Sequence, residues 1–468
     1  MAPKFGTSGL RGLVVEMTPA LIRDHVTAFL AAAPDIRTLY VGRDLRPSSP
    51  TIATAVTDAA LACGVDVVDC GPLPTPALAL AALDNGGGAI MVTGSHIPAD
   101  RNGLKFYTPS GEISKADEAA ILARLGARAP ATTPQGDLRA DAGAAAHFAE
   151  RYRRAFGATA LEGLRIGLYA HSSVGRDLLA ETLSALGAEV IELGRSDSFI
   201  PVDTEAVDPG TRAQILAWTE AHELDATVST DGDADRPLLA DETGAVIPGD
   251  ILGQITSTVI GAEVVVTPVS SNSGAEAGGR FARVLRTRIG SPHVIAGMAE
   301  VGGKVAGYEA NGGYLLGFEA QGPEGVLAPL WTRDCFLPLI APLSLARRTP
   351  LSQIVEAEPG GITRASRLTE TPTHLSAALT RHLVEDPAAR QDFLSSLGGD
   401  LAATDLTDGV RMTLHDGAVV HVRPSGNAPE LRLYVEAPTA DRAEALLTAG
   451  LAALRDRIDA IEADHPAR

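Results

Sequence analysis

Three aspartates spaced two apart, Asp231, Asp233 and Asp235, stand between two β-like runs in "DATVSTDGDADRPLLAD". Carboxylates this close repel one another unless a cation gathers them, and hard oxygen ligands suit Mg²⁺ or Ca²⁺. An EF-hand is the rival, because Glu242 falls at the twelfth position from Asp231. It fails on context: the sixth position is Arg236 rather than Gly, Pro237 follows, and strands flank the loop. Arg236 is suited to a phosphate shared with the metal; an acidic surface turn is the plain alternative. A second stretch, "MVTGSHIPADRNGLKFY", ends an apolar run in Ser95 and His96, with Lys105 ten residues on. A Ser needs a base, a cation or a metal to attack or to carry a phosphate, and His96 and Lys105 are candidates. Taken alone, Ser95 also fits a turn or capping residue.

Two further loops carry polar groups among glycines. In "GYEANGGYLLG", Glu309 and Asn311 offer an acid and an amide of the kind that holds sugar hydroxyls, although a glycine-rich turn would read the same. In "VRPSGNAPELRLYVE", Arg423, Ser425, Gly426 and Asn427 combine a guanidinium fork, a hydroxyl, exposed backbone N–H groups and an amide, a phosphate cradle that is not a Walker loop. The opening "FGTSGLRG" adds Ser8 and Arg11.

These loops need a scaffold. The 468 residues suggest about three domains, and 45% hydrophobic content supplies several cores. A net charge of −19 argues against nucleic acid or an anionic membrane as partner. Three cysteines without ligand-like spacing fit a reducing cytoplasm, and no signal-peptide core or spanning apolar run is present, so a cytoplasmic location is expected. "IRTLYVGRD", "SSPTIATAVTDAALACG" and "VDVVDCG" read strand, helix, strand, a βαβ unit with a parallel sheet. "LRIGLYAHSSVGRDLLAETLSALGAEVIELG" repeats the order, and its joint "ALGAEVIELG" matches "ACGVDVVDCG". A weaker third copy starts at "GAEVVVTPVSSNSGAEAGGRFARVL", so duplicated α/β domains are expected. Residues 126–143 read as a linker. The tail changes character: "GVRMTLHDGAVVHVRPS" is a hairpin about Asp416-Gly417, "LRLYVEA" a third strand and "DRAEALLTAGLAALRDRIDAI" an amphipathic helix, together an α+β domain.

As a set, "TGSHIP", "DGDADR", "GYEANGG" and "RPSGNAPE", in this order over essentially the whole chain, resemble the α-D-phosphohexomutase superfamily of phosphomannomutases and phosphoglucomutases. The resemblance implies an α/β fold of three similar domains with mixed, mostly parallel sheets and a C-terminal α+β domain, in a heart-shaped arrangement around a central cleft. The expected boundaries are 1–145, 146–250, 251–362 and 363–468. It implies that Ser95 carries a phosphoryl group and, with Asp231, Asp233 and Asp235, holds Mg²⁺. Lys105, His96 and Arg11 fall near the transferring phosphate, with Lys105 in general acid/base chemistry. Ser8, Arg236, Arg288, Glu309 and Asn311 fall on the substrate side, and Arg423, Ser425, Gly426 and Asn427 on the clamp for the phosphate that is not moving. The implied isomerase interconverts mannose 6-phosphate and mannose 1-phosphate through hexose 1,6-bisphosphate, as a monomer or homodimer.

This chain departs from the commonest patterns. Ile97 stands where many members have Asn, Gly94 where Ala is usual, and the sugar loop lacks the His of Glu-x-Ser-Gly-His. These differences bear on the sugar, so phosphoglucomutase, dual activity and phosphoglucosamine mutase stay as alternatives. A Mg²⁺-dependent phosphatase with Asp231 as nucleophile, or a non-catalytic sugar-phosphate binder, would leave several of these loops without a purpose.

Overall fold

The computed structural model describes residues 3–6, 9–127, 135–425 and 429–464. Among them, one strand order recurs three times. In the first domain the central strand Thr38–Arg43 has Asp66–Pro72 parallel on one side and Gly88–Val92 parallel on the other, and Arg101–Thr108 returns antiparallel to Gly88–Val92. The second domain repeats this with Arg165–Tyr169, Glu189–Leu193, Ala226–Thr230 and antiparallel Pro237–Ala240. The third repeats it with Val264–Pro268, Arg283–Thr287, Val305–Tyr308 and antiparallel Tyr314–Leu316, beyond which lies Leu330–Asp334. The α/β class and its mixed, mostly parallel sheets are thus one unit used three times. The fourth sheet is antiparallel throughout, in the order Ile362–Leu368, Leu431–Ala437, Val419–Pro424, Val410–Leu414, Leu401–Asp405, and the helix Ala440–Asp464 packs on it.

This recurrence places the chemistry. The loop carrying Ser95, the aspartate loop and the loop carrying Glu309 are each the turn between the third strand and its antiparallel return. Each sits at the carboxyl end of a parallel strand, where α/β sheets leave a crevice for ligands. The third strands are buried along their length, so the loops that follow them begin where the chain leaves the core. Each turn contains one residue at positive φ: Ser95 (54°), Ala234 (54°) and Gly312 (87°). For Ser95 and Ala234 this costs about 1 kcal/mol or more, which packing around the loop must offset.

One continuous apolar cluster runs from Tyr40 through Leu168, Leu252 and Leu339, joining the first three domains. The C-terminal sheet has a core of its own, from Leu368 to Ile458. Two sequence expectations need correction. The third copy has no long helix between its first two strands: "SGAEAGG" forms two short 3₁₀ turns, Ser273–Ala275 and Ala277–Gly279. Three glycines and three other small residues in seven positions bury too little to hold an α-helix. The segment read as a linker also contributes an edge strand, Leu138–Ala140, parallel to Val67–Asp69.

Candidate active site

The Ser95 turn is held by a side chain from the first βα connection. Arg46, about 1% exposed, donates from its guanidinium to the carbonyls of Ser95 (2.8 Å), Ile97 (2.5 Å), Pro98 (2.7 Å) and Arg101 (3.0 Å). Its Nε pairs with Asp44 Oδ2 at 3.1 Å, and the ring of Phe199, from the second domain, lies 4.0 Å from its Cζ. A Cβ on Gly94 would fall 2.6 Å from that Cζ, so the chain has Gly where an Ala would collide. Thr93 Oγ1 accepts the Ser95 N–H at 2.7 Å and donates to Asp44 Oδ2 at 2.8 Å.

Ser95 Oγ donates to Asp231 Oδ2 at 2.6 Å, which brings the first two loops together. Asp231 Oδ1 accepts the backbone N–H groups of Asp235 and Arg236 at 3.2 Å each. Asp233 Oδ2 accepts from Thr75 Oγ1 (2.8 Å) and Lys105 Nζ (2.6 Å). Asp235 Oδ2 accepts from Lys105 Nζ (2.5 Å) and Arg333 Nη2 (2.8 Å). All three aspartates are buried, and their oxygens lie within 4.8 Å of one another. The second oxygens, Asp233 Oδ1 and Asp235 Oδ1, are buried with no hydrogen-bond partner. A buried carboxylate oxygen left without a partner is costly, so the donor set fits a hard divalent cation such as Mg²⁺. Burial and the charges of Asp233 and Asp235 push the Asp231 carboxyl up to about 8. Burial also acts to raise Asp233, but the Lys105 ammonium and the Thr75 hydroxyl hold it below the usual carboxylate range.

His96 Nδ1 lies 3.3 Å from Ser95 Oγ and 3.0 Å from Arg236 Nη1, which donates to it. Burial, then the cations Arg236 and Arg11, lower this imidazole well below its ordinary value, so it is neutral at neutral pH. Arg11, on the strand Leu10–Leu13, is brought down to about 10 by burial and by Arg236 and Arg333. The site is therefore a compact field of cations around three carboxylates, with a hydroxyl and a neutral imidazole beside them.

In the third loop, Glu309 is buried, and burial raises its carboxyl despite Arg333 and Arg236 nearby. Its Oε1 stands 3.7 Å from Arg333 Nη1. Asn311 Oδ1 accepts the Gly313 N–H at 3.0 Å, and its carbonyl accepts from Thr204 Oγ1 at 2.9 Å. A Cβ on Gly312 would fall 2.7 Å from Pro237, just after the aspartate loop, so this turn packs against the metal loop's exit. Arg423 ends the strand Val419–Pro424, with Nε 3.5 Å from Asp408 Oδ1, and the Ser425 N–H donates to the Glu430 carbonyl at 2.9 Å. Arg432 is directly opposite Arg423 across the ladder, and Glu205 from the second domain senses both Arg236 and Arg432. A cavity of about 900 Å³ is lined by Glu205, Ala310, Arg411 and Tyr434 among others, while Ser95, the aspartates, Glu309 and Arg423 are not part of its lining.

The structure thus gathers Ser95, His96, Lys105, Arg11, the aspartates, Arg236 and Glu309, with Asn311 beside them. Arg288 stands apart from them: its exposed side chain donates to the Thr407 carbonyl at 3.1 Å. Ser8, Gly426 and Asn427 lie outside the described residues. Sequence reasoning missed Arg333, Thr75 and Arg46. Arg333 left one signal, a lone cation between apolar runs in "PLWTRDCFLPLI", which a core must pair.

Four domain signatures match in order: phosphoglucomutase/phosphomannomutase alpha/beta/alpha domain I over residues 2–131, domain II over 146–244, domain III over 240–360 and the C-terminal domain over 377–451. A protein of Sinorhizobium fredii named phosphomannomutase is 47% identical, covering 97% of this chain and 99% of its own. One of Salmonella muenchen with the same name is 41% identical, with 94% and 93% covered. The crystal structure of a phosphoglucomutase/phosphomannomutase family protein of Burkholderia thailandensis superposes with a TM-score of 0.79 at 23% identity, covering 99% and 98%. At that identity it speaks for the fold, while the full-length relatives carry the kinship: the chain belongs to the phosphoglucomutase/phosphomannomutase family of α-D-phosphohexomutases.

Proposed function

We propose that this chain is a phosphomannomutase, an isomerase that interconverts mannose 6-phosphate and mannose 1-phosphate through a phosphorylated Ser95. The observation that carries the chemistry is the Ser95 hydroxyl, held in a tightly bonded turn 2.6 Å from a carboxylate of another domain's buried acidic triad. The preference for mannose rests on two full-length relatives with that name.

In this reading the P–O bond to Ser95 Oγ breaks as a sugar oxygen bonds to phosphorus. The proton of the sugar hydroxyl ends, net, on Ser95 Oγ, and the reverse transfer from the other end of the hexose 1,6-bisphosphate restores the phosphoserine. His96 and Lys105 are the groups beside this path that can hold or pass the proton. Arg11 and Arg236 offset the charge on the moving phosphoryl oxygens. Mg²⁺, held by Asp231, Asp233, Asp235 and an oxygen on Ser95, would supply Lewis-acid neutralisation of the same oxygens. Glu309 and Asn311 hold sugar hydroxyls. Arg423, Ser425, Gly426 and Asn427 grip the stationary phosphate, and a clamp that grips a phosphate serves either end of the sugar. The bisphosphate also serves as activator, the chain works as a monomer or homodimer, and its location is the cytoplasm.

The test is a coupled assay with mannose 1-phosphate, glucose 1-phosphate and glucosamine 1-phosphate, with intact-mass analysis of wild type and Ser95→Ala. The wild type should favour mannose 1-phosphate and show a phosphorylated fraction that Ser95→Ala lacks, and the variant should not turn over. Full activity in Ser95→Ala sinks the phosphoserine role; preference for another sugar sinks the mannose assignment.

A further inference from the structure

Arg333 belongs to none of the four loops, yet it touches two of them. It lies on the strand Leu330–Asp334, beside Tyr314–Leu316 and so beside the exit of the sugar loop. Its side chain is 4% exposed, with Nη2 2.8 Å from Asp235 Oδ2 and Nη1 3.7 Å from Glu309 Oε1. One planar guanidinium therefore spans a carboxylate of the aspartate loop and the carboxylate of the sugar loop. Space for it is made by Gly313: a Cβ there would fall 2.8 Å from Arg333 Cδ and 3.0 Å from Cγ. Gly313 is not in the left-handed region, so its backbone does not demand glycine; the passing arginine does.

We propose that Arg333 is a positioning residue for sugar recognition: it orients the Glu309 carboxylate toward the substrate hydroxyls and ties that orientation to Asp235. This rests on the mutase reading above. A lysine is a poor replacement, because its single ammonium lacks the two separated nitrogens with which the guanidinium reaches Asp235 at 2.8 Å and Glu309 at 3.7 Å. Without Arg333, the Glu309 carboxylate loses the guanidinium 3.7 Å from its Oε1, and with it a charge that works against burial to keep an ionised acceptor for a sugar hydroxyl.

The test crosses enzyme variants with substrates that lack one hydroxyl. Turnover of mannose 1-phosphate and its 2-, 3- and 4-deoxy analogues is measured for wild type, Arg333→Met, Arg333→Lys and Gly313→Ala, with thermal melts and Mg²⁺ titration alongside. In the wild type, at least one analogue should lose about ten- to a hundred-fold in kcat/KM, the size of a hydrogen bond to a charged group. In Arg333→Met and Arg333→Lys that same analogue should lose less than about threefold relative to the variant's own rate on mannose 1-phosphate. Gly313→Ala, whose Cβ would press on Arg333 Cδ and Cγ, should show the same collapse in smaller measure. A merely structural role would lower all substrates alike and leave the deoxy penalty intact in every variant, which would overturn the proposal. A wild type inactive on every hexose phosphate would instead overturn the mutase reading.

Discussion

Lys105→Met tests how the acidic triad is tolerated. Lys105 is 3% exposed, and its ammonium stands 2.6 Å from Asp233 Oδ2 and 2.5 Å from Asp235 Oδ2. At an effective dielectric of about 20, each contact is worth roughly 6 kcal/mol of attraction, most of it cancelled by the desolvation of three charges. Removing one partner of such a group costs about 3–5 kcal/mol, because Asp233 is left buried with only the Thr75 hydroxyl and Asp235 with only Arg333. In excess chelator the variant should therefore melt below wild type by about 3–5 °C, since an unfolding entropy of about 2.1 cal/mol/K per residue over a chain of this length gives roughly 1 °C per kcal/mol. Mg²⁺ brings two positive charges to the orphaned Asp233 Oδ1 and Asp235 Oδ1, so saturating Mg²⁺ should close at least half of that gap. The assay is a set of thermal scans of both proteins, chelated and loaded. A chelated variant as stable as chelated wild type would refute the charge argument. A deficit untouched by Mg²⁺ would show that Lys105 and the ion answer different carboxylates.

Arg423→Ala should raise KM for hexose phosphates by about ten- to a hundred-fold with Mg²⁺ affinity unchanged, read from steady-state kinetics and a metal titration; a wild-type KM would place the stationary phosphate elsewhere. Glu205 is pushed up to about 7, first by burial and then by Asp203. A carboxyl that keeps its proton in the fold stabilises fully below its unfolded value near 4.5, and that contribution is lost as pH rises through 7. Glu205→Gln should thus gain on wild type by about 1–3 kcal/mol between pH 5 and 8, and parallel melting curves for the two proteins over that range would contradict it.

The loops were legible because chemistry forces rare patterns. Three aspartates two apart, or a Ser-His pair at the end of an apolar run, have few innocent explanations. The duplicated units were legible from their joints, "ACGVDVVDCG" and "ALGAEVIELG", where the helix must end and a strand begin. What stayed hidden is what acts through distance in the chain. Arg46 is one arginine in "RDLRPSSP", and its four carbonyl partners lie some fifty residues on, with no spacing to betray them. Arg333 meets Asp235 and Glu309 only after strands from two domains have docked. The 3₁₀ turns of the third unit were obscured because its flanking strands match the other copies well while the stretch between them does not.

The grip of Arg46 also orders events as the chain folds. The turn that presents Ser95 has four carbonyls satisfied by one guanidinium, so it cannot take its shape until the preceding βα connection has docked. Phe199, from the second domain, closes over that guanidinium. The first domain thus contains every carbonyl partner of Arg46, while the cover over the arginine's face and the Asp231 partner of the Ser95 hydroxyl come from the second. One domain shapes the reactive turn and the next completes it.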